Sequence, residues 1–145
     1  RLFNTVGPKQ SSRYGMVIPT FVKAAINNET ILVHGNGSQS RCFGNVNDVT
    51  GALIGLTREP SANGEVFNVG SNEEITILEL ANKIKYLTNS TSEIKLLPYS
   101  EAFSSGFEDM KRRVPDLRKI NKFIGYTPSY NLDQTIKQVI DYLSN

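Results

Sequence analysis

The sequence predicts an α/β fold, on three observations. Short apolar runs that stop at glycine alternate with amphipathic stretches almost to the end of the chain. Two helix starts carry a Thr or Asn followed three residues later by Glu or Gln. No internal repeat or low-complexity segment interrupts that order.

The chain opens on Arg1-Leu2-Phe3-Asn4-Thr5-Val6-Gly7-Pro8, an apolar pair running into polar residues and Gly-Pro. This reads as the end of a buried strand entering a tight loop, the place where open α/β sheets bind ligands. A chain that opens in mid-motif is expected to have lost what came before. A strand at Arg1 without sheet neighbours would leave an apolar edge unpaired, so marginal stability or aggregation is expected.

Residues 16–26 carry apolar side chains at 17, 18, 21, 22, 25 and 26, a helical stripe in which Pro19 is tolerable only in the first turn. Residues 30–34 read as a strand ending in the turn Gly35-Asn36-Gly37-Ser38, and residues 40–46 as a second extended stretch. Asp48 is expected to cap a helix through Leu56, followed by a loop at 60–64. Residues 65–70 read as a strand stopped by Gly70. Thr76 and Glu79 form a capping box, with Ile75 and Leu80 as its hydrophobic staple, ahead of an inner face of Leu80, Ala81, Ile84 and Leu87. Residues 94–97 form a strand and residues 100–110 a polar, ordered loop. Asp116 caps a short helix ending at Gly125, and Asn131 with Gln134 caps the last, whose stripe is Leu132, Ile136, Val139, Ile140 and Leu143.

Composition narrows the function classes. The chain has 145 residues, 39% of them hydrophobic, enough for one domain with a modest core. A net charge of +2 is too small to argue for nucleic acid. The single Cys42 excludes an internal disulfide and an all-cysteine metal site, in keeping with a reducing compartment. No apolar run reaches the roughly 20 residues of a membrane span, and the first residues lack a signal-peptide layout. A cytoplasmic protein without membrane or nucleic-acid partners is expected.

Candidates for chemistry are few. His34, the only histidine, stands at a strand end with no acid in its segment and reads as a solvent-facing turn residue. Cys42 in an alternating strand reads as a small core residue. No Gly-x-Ser-x-Gly elbow, zinc-ligand spacing or Gly-rich phosphate loop occurs, so no catalytic or metal centre is expected. Binding has better support. Arg41 lies on a strand, where a guanidinium either finds an anion, a pyrophosphate suiting its planar fork, or forms a surface ion pair. Lys111-Arg112-Arg113 reads as a solvated face, and Asn4 can serve a ligand or its own loop backbone.

Seven segments, taken in order, resemble one family: residues 1–10, 14–21, 35–43, 46–49, 64–71, 106–110 and 112–116. They look like the carboxyl-terminal half of the NAD-dependent nucleotide-sugar epimerase/dehydratases, the extended short-chain dehydrogenase/reductases. The resemblance covers essentially the whole chain and is greatest to UDP-glucose 4-epimerases, with UDP-glucuronate decarboxylases close behind. It implies returning strands and helices of a Rossmann-type parallel sheet plus a small α/β substrate-binding domain, residues 1–145 forming the substrate-binding portion. The family's dinucleotide fingerprint and Tyr-x-x-x-Lys pair do not occur here, so the amino-terminal cofactor half is expected to be absent and the isolated piece inactive.

The resemblance further implies roles for individual residues. Asn4 would lie beside the sugar diphosphate and Thr5 where the loop passes the nicotinamide of NAD. Met16 and Val17 would line the nucleotide, Arg41 would grip the diphosphate, Arg113 would be a second substrate-contacting arginine, and Asn68 would face the nucleotide. The implied partners are a UDP-sugar or another nucleoside-diphosphate sugar, and a homodimer through helices preceding Arg1. Two positions depart from the family. Decarboxylases carry an arginine where this chain has Met16, which makes decarboxylation less favoured than epimerisation at sugar C4; the alternatives are a UDP-glucuronate decarboxylase or nucleoside-diphosphate-sugar dehydratase portion, or a non-catalytic nucleotide-sugar-binding module. Many epimerases carry Tyr and His where Phe43 and Asn45 stand, which puts nucleotide hydrogen bonds there in doubt.

Overall fold

The computed structural model describes residues 1–11, 16–98 and 110–144. The loop expected at 100–110 falls outside them except for Met110, as do residues 14–15 and 106–109 of the resembling segments.

Short strands and amphipathic helices alternate, as the sequence requires. Strand β1 (Thr5–Val6) pairs in parallel with β4 (Gly44–Asn45). Strands β2 (Ile31–His34) and β6 (Ile94–Leu97) form a second parallel pair. In the third sheet β3 (Ser40–Cys42) lies between antiparallel β5 (Glu74–Thr76) and parallel β7 (Arg112–Arg113).

The helices are α1 (Val17–Ile26), α2 (Val46–Thr57), α3 (Ile77–Leu87), α4 (Arg118–Ile124) and α5 (Leu132–Leu143). Both capping boxes form: Thr76 Oγ1 accepts from Glu79 N while Glu79 accepts from Thr76 N, and Asn131 with Gln134 repeats the exchange. Pro19 falls in the first turn of α1, where its missing N–H costs nothing, and Gly125 ends α4 at φ 66°. Among the described residues, no helix is long and apolar enough to cross a membrane.

Two apolar cores form. The larger joins Ile18, Phe21, Val22 and Ala25 of α1, Leu80, Ala81 and Ile84 of α3, and Leu132, Ile136 and Val139 of α5 over Ile31 and Val33 of β2. The smaller gathers Val49 and Ala52 of α2 with Phe67, Val69, Ile120 and Tyr126. Between them the backbones of three segments meet. A Cβ at Gly44 would stand 2.9 Å from Gly70 Cα, and one at Gly70 would stand 3.0 Å from Phe3 Cβ. Nothing larger than glycine fits that crossing without movement.

Three expectations are corrected. Asn45, not Asp48, caps α2, its side chain accepting from Asn47 N. Asp48 sits a turn inside the helix and accepts from Ser129 N, Ser129 Oγ and Tyr130 N, so it fastens the loop before α5. Among the described residues, 65–70 make only one bridge, Leu2 to Val69, where Phe3 N donates to the Val69 carbonyl and Val69 N to the Arg1 carbonyl. That bridge also gives the opening residues the sheet neighbour they were expected to lack. Arg112 and Arg113 form the short strand β7, and Lys111 and Arg112 are exposed, as expected of a solvated face.

Candidate functional site

The site is built at the edge of β3. Parallel register sets Arg41 directly opposite Arg113, and paired residues in a ladder project to the same face. The guanidinium carbon of Arg113 lies 5.1 Å from the centroid of the Phe3 ring, a cation–π contact that holds it beside the opening segment. The next residue, Asn4, donates from Nδ2 to the Cys42 carbonyl at 2.9 Å, adjacent in sequence to Arg41. Asn4 itself has φ 36°, a left-handed conformation that asparagine tolerates better than most residues. Its carbonyl accepts from Gly44 N at 3.1 Å. The three residues singled out in the sequence therefore lie on adjoining segments of the fold.

Arg41 has a second task. Its Nη1 donates to the carbonyls of Ser40 and Met110, each at 2.7 Å, so the guanidinium also fastens the segment that leads into β7. On the same sheet, Glu74 of β5 reaches across β3 to Arg112 of β7. Arg112 Nε and Nη2 donate to both of its carboxylate oxygens at 2.9–3.2 Å, and Ser40 Oγ donates to one of them. The Arg112 guanidinium first, and the Ser40 hydroxyl second, hold the Glu74 carboxyl below its ordinary range.

The remaining candidates lie around this cluster or apart from it. Asn68 donates to the Asp116 carbonyl at 3.3 Å and so abuts the segment that follows Arg113. Thr5 follows Asn4 directly; its carbonyl accepts from Gln10 Nε2, while Thr5 Oγ1 and Gln10 Oε1 are buried without a hydrogen-bond partner. Met16 and Val17 stand at the start of α1, a helix that packs on β2, α3 and α5. Met16 is exposed and its carbonyl accepts from Thr20 N and Oγ1.

The two departures at 43 and 45 have structural explanations. Phe43 is buried in the larger core. Asn45 is fully buried and donates from Nδ2 to Thr135 Oγ1 and Gln138 Oε1, so its amide is committed to α5. Cys42 is buried, and burial pushes its thiol up to about 11, Glu74 adding to the effect; it is inert core, as expected. His34 is half-buried at the end of β2 rather than open to solvent. No group of three His, Cys, Asp or Glu residues suited to a metal occurs among the described residues.

Sequence reasoning missed three contributors. Phe3 signals itself only as an apolar strand residue, yet it carries Arg113. Glu74 is one of two consecutive acids ahead of a capping box, with nothing local to mark it. Tyr126 follows the glycine that ends α4, and its hydroxyl donates to the Gly70 carbonyl at 2.7 Å, bracing the crossing beneath Phe3.

Comparison with known proteins agrees with this architecture. The family model described as GDP-mannose 4,6 dehydratase matches residues 1–139. A UDP-N-acetyl-alpha-D-glucosaminuronate decarboxylase of Bacillus cytotoxicus is 37% identical over 98% of this chain and 44% of its own length. UDP-glucuronic acid decarboxylase 1 of Danio rerio is 36% identical over 99% of this chain and 32% of its own. The chain thus spans less than half the length of these curated relatives. Among solved structures, UDP-glucose 4-epimerase of Thermotoga maritima, determined with UDP-glucose, superposes with a TM-score of 0.87 at 25% identity, over 99% of this chain and 44% of that one.

Proposed function

The chain belongs to the GDP-mannose 4,6-dehydratase family, and from that premise we propose that it binds the diphosphate of a UDP-sugar for an NAD-dependent enzyme. The observation that carries the reading is the register pair Arg41–Arg113 with Asn4 at the adjoining strand end. Two cations side by side repel each other, and a dianion between them turns that repulsion into attraction. Each guanidinium presents a planar fork suited to phosphoryl oxygens, and the Asn4 amide adds an adjustable polar partner. Fixing the diphosphate holds the substrate at a distance from its reacting carbon, so that binding energy positions the sugar ring.

Asn68 would extend the polar edge toward the nucleotide, and Met16 and Val17 would border it from α1. When bound, NAD supplies the site that takes up and returns a hydride. Thr5 is the residue of this chain best suited to approach it, because its buried Oγ1 lacks a partner that the described residues could provide. The proton-transfer pair typical of such enzymes is not among these 145 residues, so no catalytic role is assigned to any of them.

The reaction favoured for the whole protein is decarboxylation of a UDP-hexuronate, supported by the names of the two curated relatives. This reverses the order of preference drawn from Met16. Epimerisation at C4 is the second reading, and Met16, where decarboxylases carry arginine, is the observation that favours it.

Titration calorimetry of the full chain with UDP-glucuronic acid and with UDP-glucose tests both levels. Arg113→Ala is expected to weaken either ligand about tenfold, the loss of one charge-assisted contact. Equal affinity in the variant would remove the diphosphate assignment. Tighter binding of the hexuronate supports the decarboxylase reading, and tighter binding of the neutral hexose supports the epimerase.

A further inference from the structure

Strand β7 has two residues, and three consecutive cations, Lys111, Arg112 and Arg113, could each stand opposite Arg41. A slip of one position would turn Arg113 to the opposite face of the sheet and bring a neighbouring cation into its place. Nothing in the run itself chooses among the three registers, because all three side chains are long and positive. The ladder between β3 and β7 is too short to decide by hydrogen bonds alone. The selection has to come from contacts that only one register satisfies.

We propose that Glu74 sets the register of β7 and thereby selects Arg113, rather than Arg112 or Lys111, as the second cation of the diphosphate site. Glu74 is a positioning residue, acting through Arg112. It stands on β5, on the far side of β3, and pairs there with Cys42. Its carboxylate passes over the central strand, accepts from Ser40 Oγ on the way, and receives both Nε and Nη2 of Arg112. Ser40 is the register partner of Arg112, whereas Glu74 stands opposite Cys42 two residues along β3, so the clamp runs diagonally across all three strands. Were Arg112 or Lys111 opposite Arg41, Ser40 would face Lys111 or Met110, and neither can reproduce the two-pronged contact. An exposed ion pair contributes little to stability as a rule, but a bidentate one fixes geometry, and geometry is what the short strand lacks. The Arg41 contact to the Met110 carbonyl and the Phe3 ring under Arg113 then complete the arrangement that Glu74 selects.

This inference rests on the diphosphate reading of Arg113 for its functional consequence, and on the sheet alone for its structural one, so two measurements separate them. In the first, UDP-glucuronic acid is titrated into four full-length chains: native, Glu74→Gln, Arg113→Ala and the double variant. Arg113→Ala is expected to cost about tenfold in the native background and no more than about twofold beside Glu74→Gln, because the slipped strand has already withdrawn Arg113. Equal factors in both backgrounds would overturn the proposal. The charge-reversed pair Glu74→Arg with Arg112→Glu is expected to restore most of the affinity lost in Glu74→Gln, whereas a general loss of packing would not be rescued. In the second measurement, amide hydrogen exchange over residues 110–114 is followed without ligand. Faster exchange in Glu74→Gln, with the rest of the chain unaltered, supports the clamp, and unaltered protection overturns it. Should Arg113→Ala leave affinity unchanged in the native background, the diphosphate reading fails, and exchange alone decides whether Glu74 sets the register.

Discussion

A guanidinium at position 41 does two things that a simple positive charge cannot. It faces Arg113 across the ladder and donates twice through one nitrogen to the carbonyls of Ser40 and Met110. Arg41→Lys keeps the charge and loses the fork, so it separates the two contributions. We expect Arg41→Lys to retain part of the affinity for UDP-glucuronic acid and Arg41→Ala to lose about tenfold or more. Hydrogen exchange over residues 110–114 should quicken equally in both, since neither side chain holds the Met110 carbonyl in the native way. Calorimetry and exchange on the same samples check this; a lysine variant that binds like the native chain would reduce the role of Arg41 to charge alone. At this scale the sequence showed which residue types mattered but not their company. Asn4, Arg41 and Arg113 could be named, whereas Phe3 and Glu74 could not, because their importance comes from strands 38 to 110 residues away in the chain.

Elements with local instructions were legible, and those made by distant pairing were not. Helices α3 and α5 announce themselves through capping boxes and stripes of period 3.6, and the structure realises both. The expected strand at 65–70 has the right residues but meets its partner at a single bridge, and β7 has charged residues no propensity argument would choose. Asp48 looked like a cap because acids favour the first turn, yet Asn45 holds that place and Asp48 holds the loop at 129–130 instead. Thr76 shows what a local instruction adds. It closes β5 opposite Ser40 and opens α3 with its hydroxyl, so strand and helix share one residue. Thr76→Ala is expected to cost about 1 kcal/mol, and to lower the melting temperature by about 3 °C in a chain of this size. Thr76→Ser, which keeps the hydroxyl, should restore most of it. Thermal melts by circular dichroism compare the three; an unchanged Thr76→Ala melt would mean the exposed cap is replaced by water.

The described residues form two apolar cores, and the crossing of Phe3, Gly44 and Gly70 is where alkaline pH should act. Tyr126 belongs to the smaller core, but its hydroxyl donates to Gly70, whose backbone packs on Gly44 and on Phe3, the platform of Arg113. Burial, with the Asp48 carboxylate adding to it, pushes the Tyr126 phenol up to about 12 from an ordinary 10.0. Cys42, on the strand that carries Arg41, is pushed up to about 11 from 9.0, burial again being the main cause. For both groups the folded chain holds the proton more tightly than the unfolded chain does. Below about pH 8 both states are protonated and nothing is lost. Above it the unfolded state ionises first at Cys42 and then at Tyr126, and stability falls as pH rises toward the folded values. Each group contributes up to about 1.4 kcal/mol per pH unit over its own window. Urea midpoints measured from pH 8 to 11.5 should therefore decline, steepening above about pH 10 where the second group joins. Tyr126→Phe should start lower, having lost the bond to Gly70, and then decline less steeply, because of these two protons only that of Cys42 is still held by the fold. If the crossing also supports the diphosphate site, Tyr126→Phe should weaken UDP-glucuronic acid at neutral pH although residue 126 lies on the other core. A native chain whose urea midpoint stays flat across that range would show that neither proton is held by the fold.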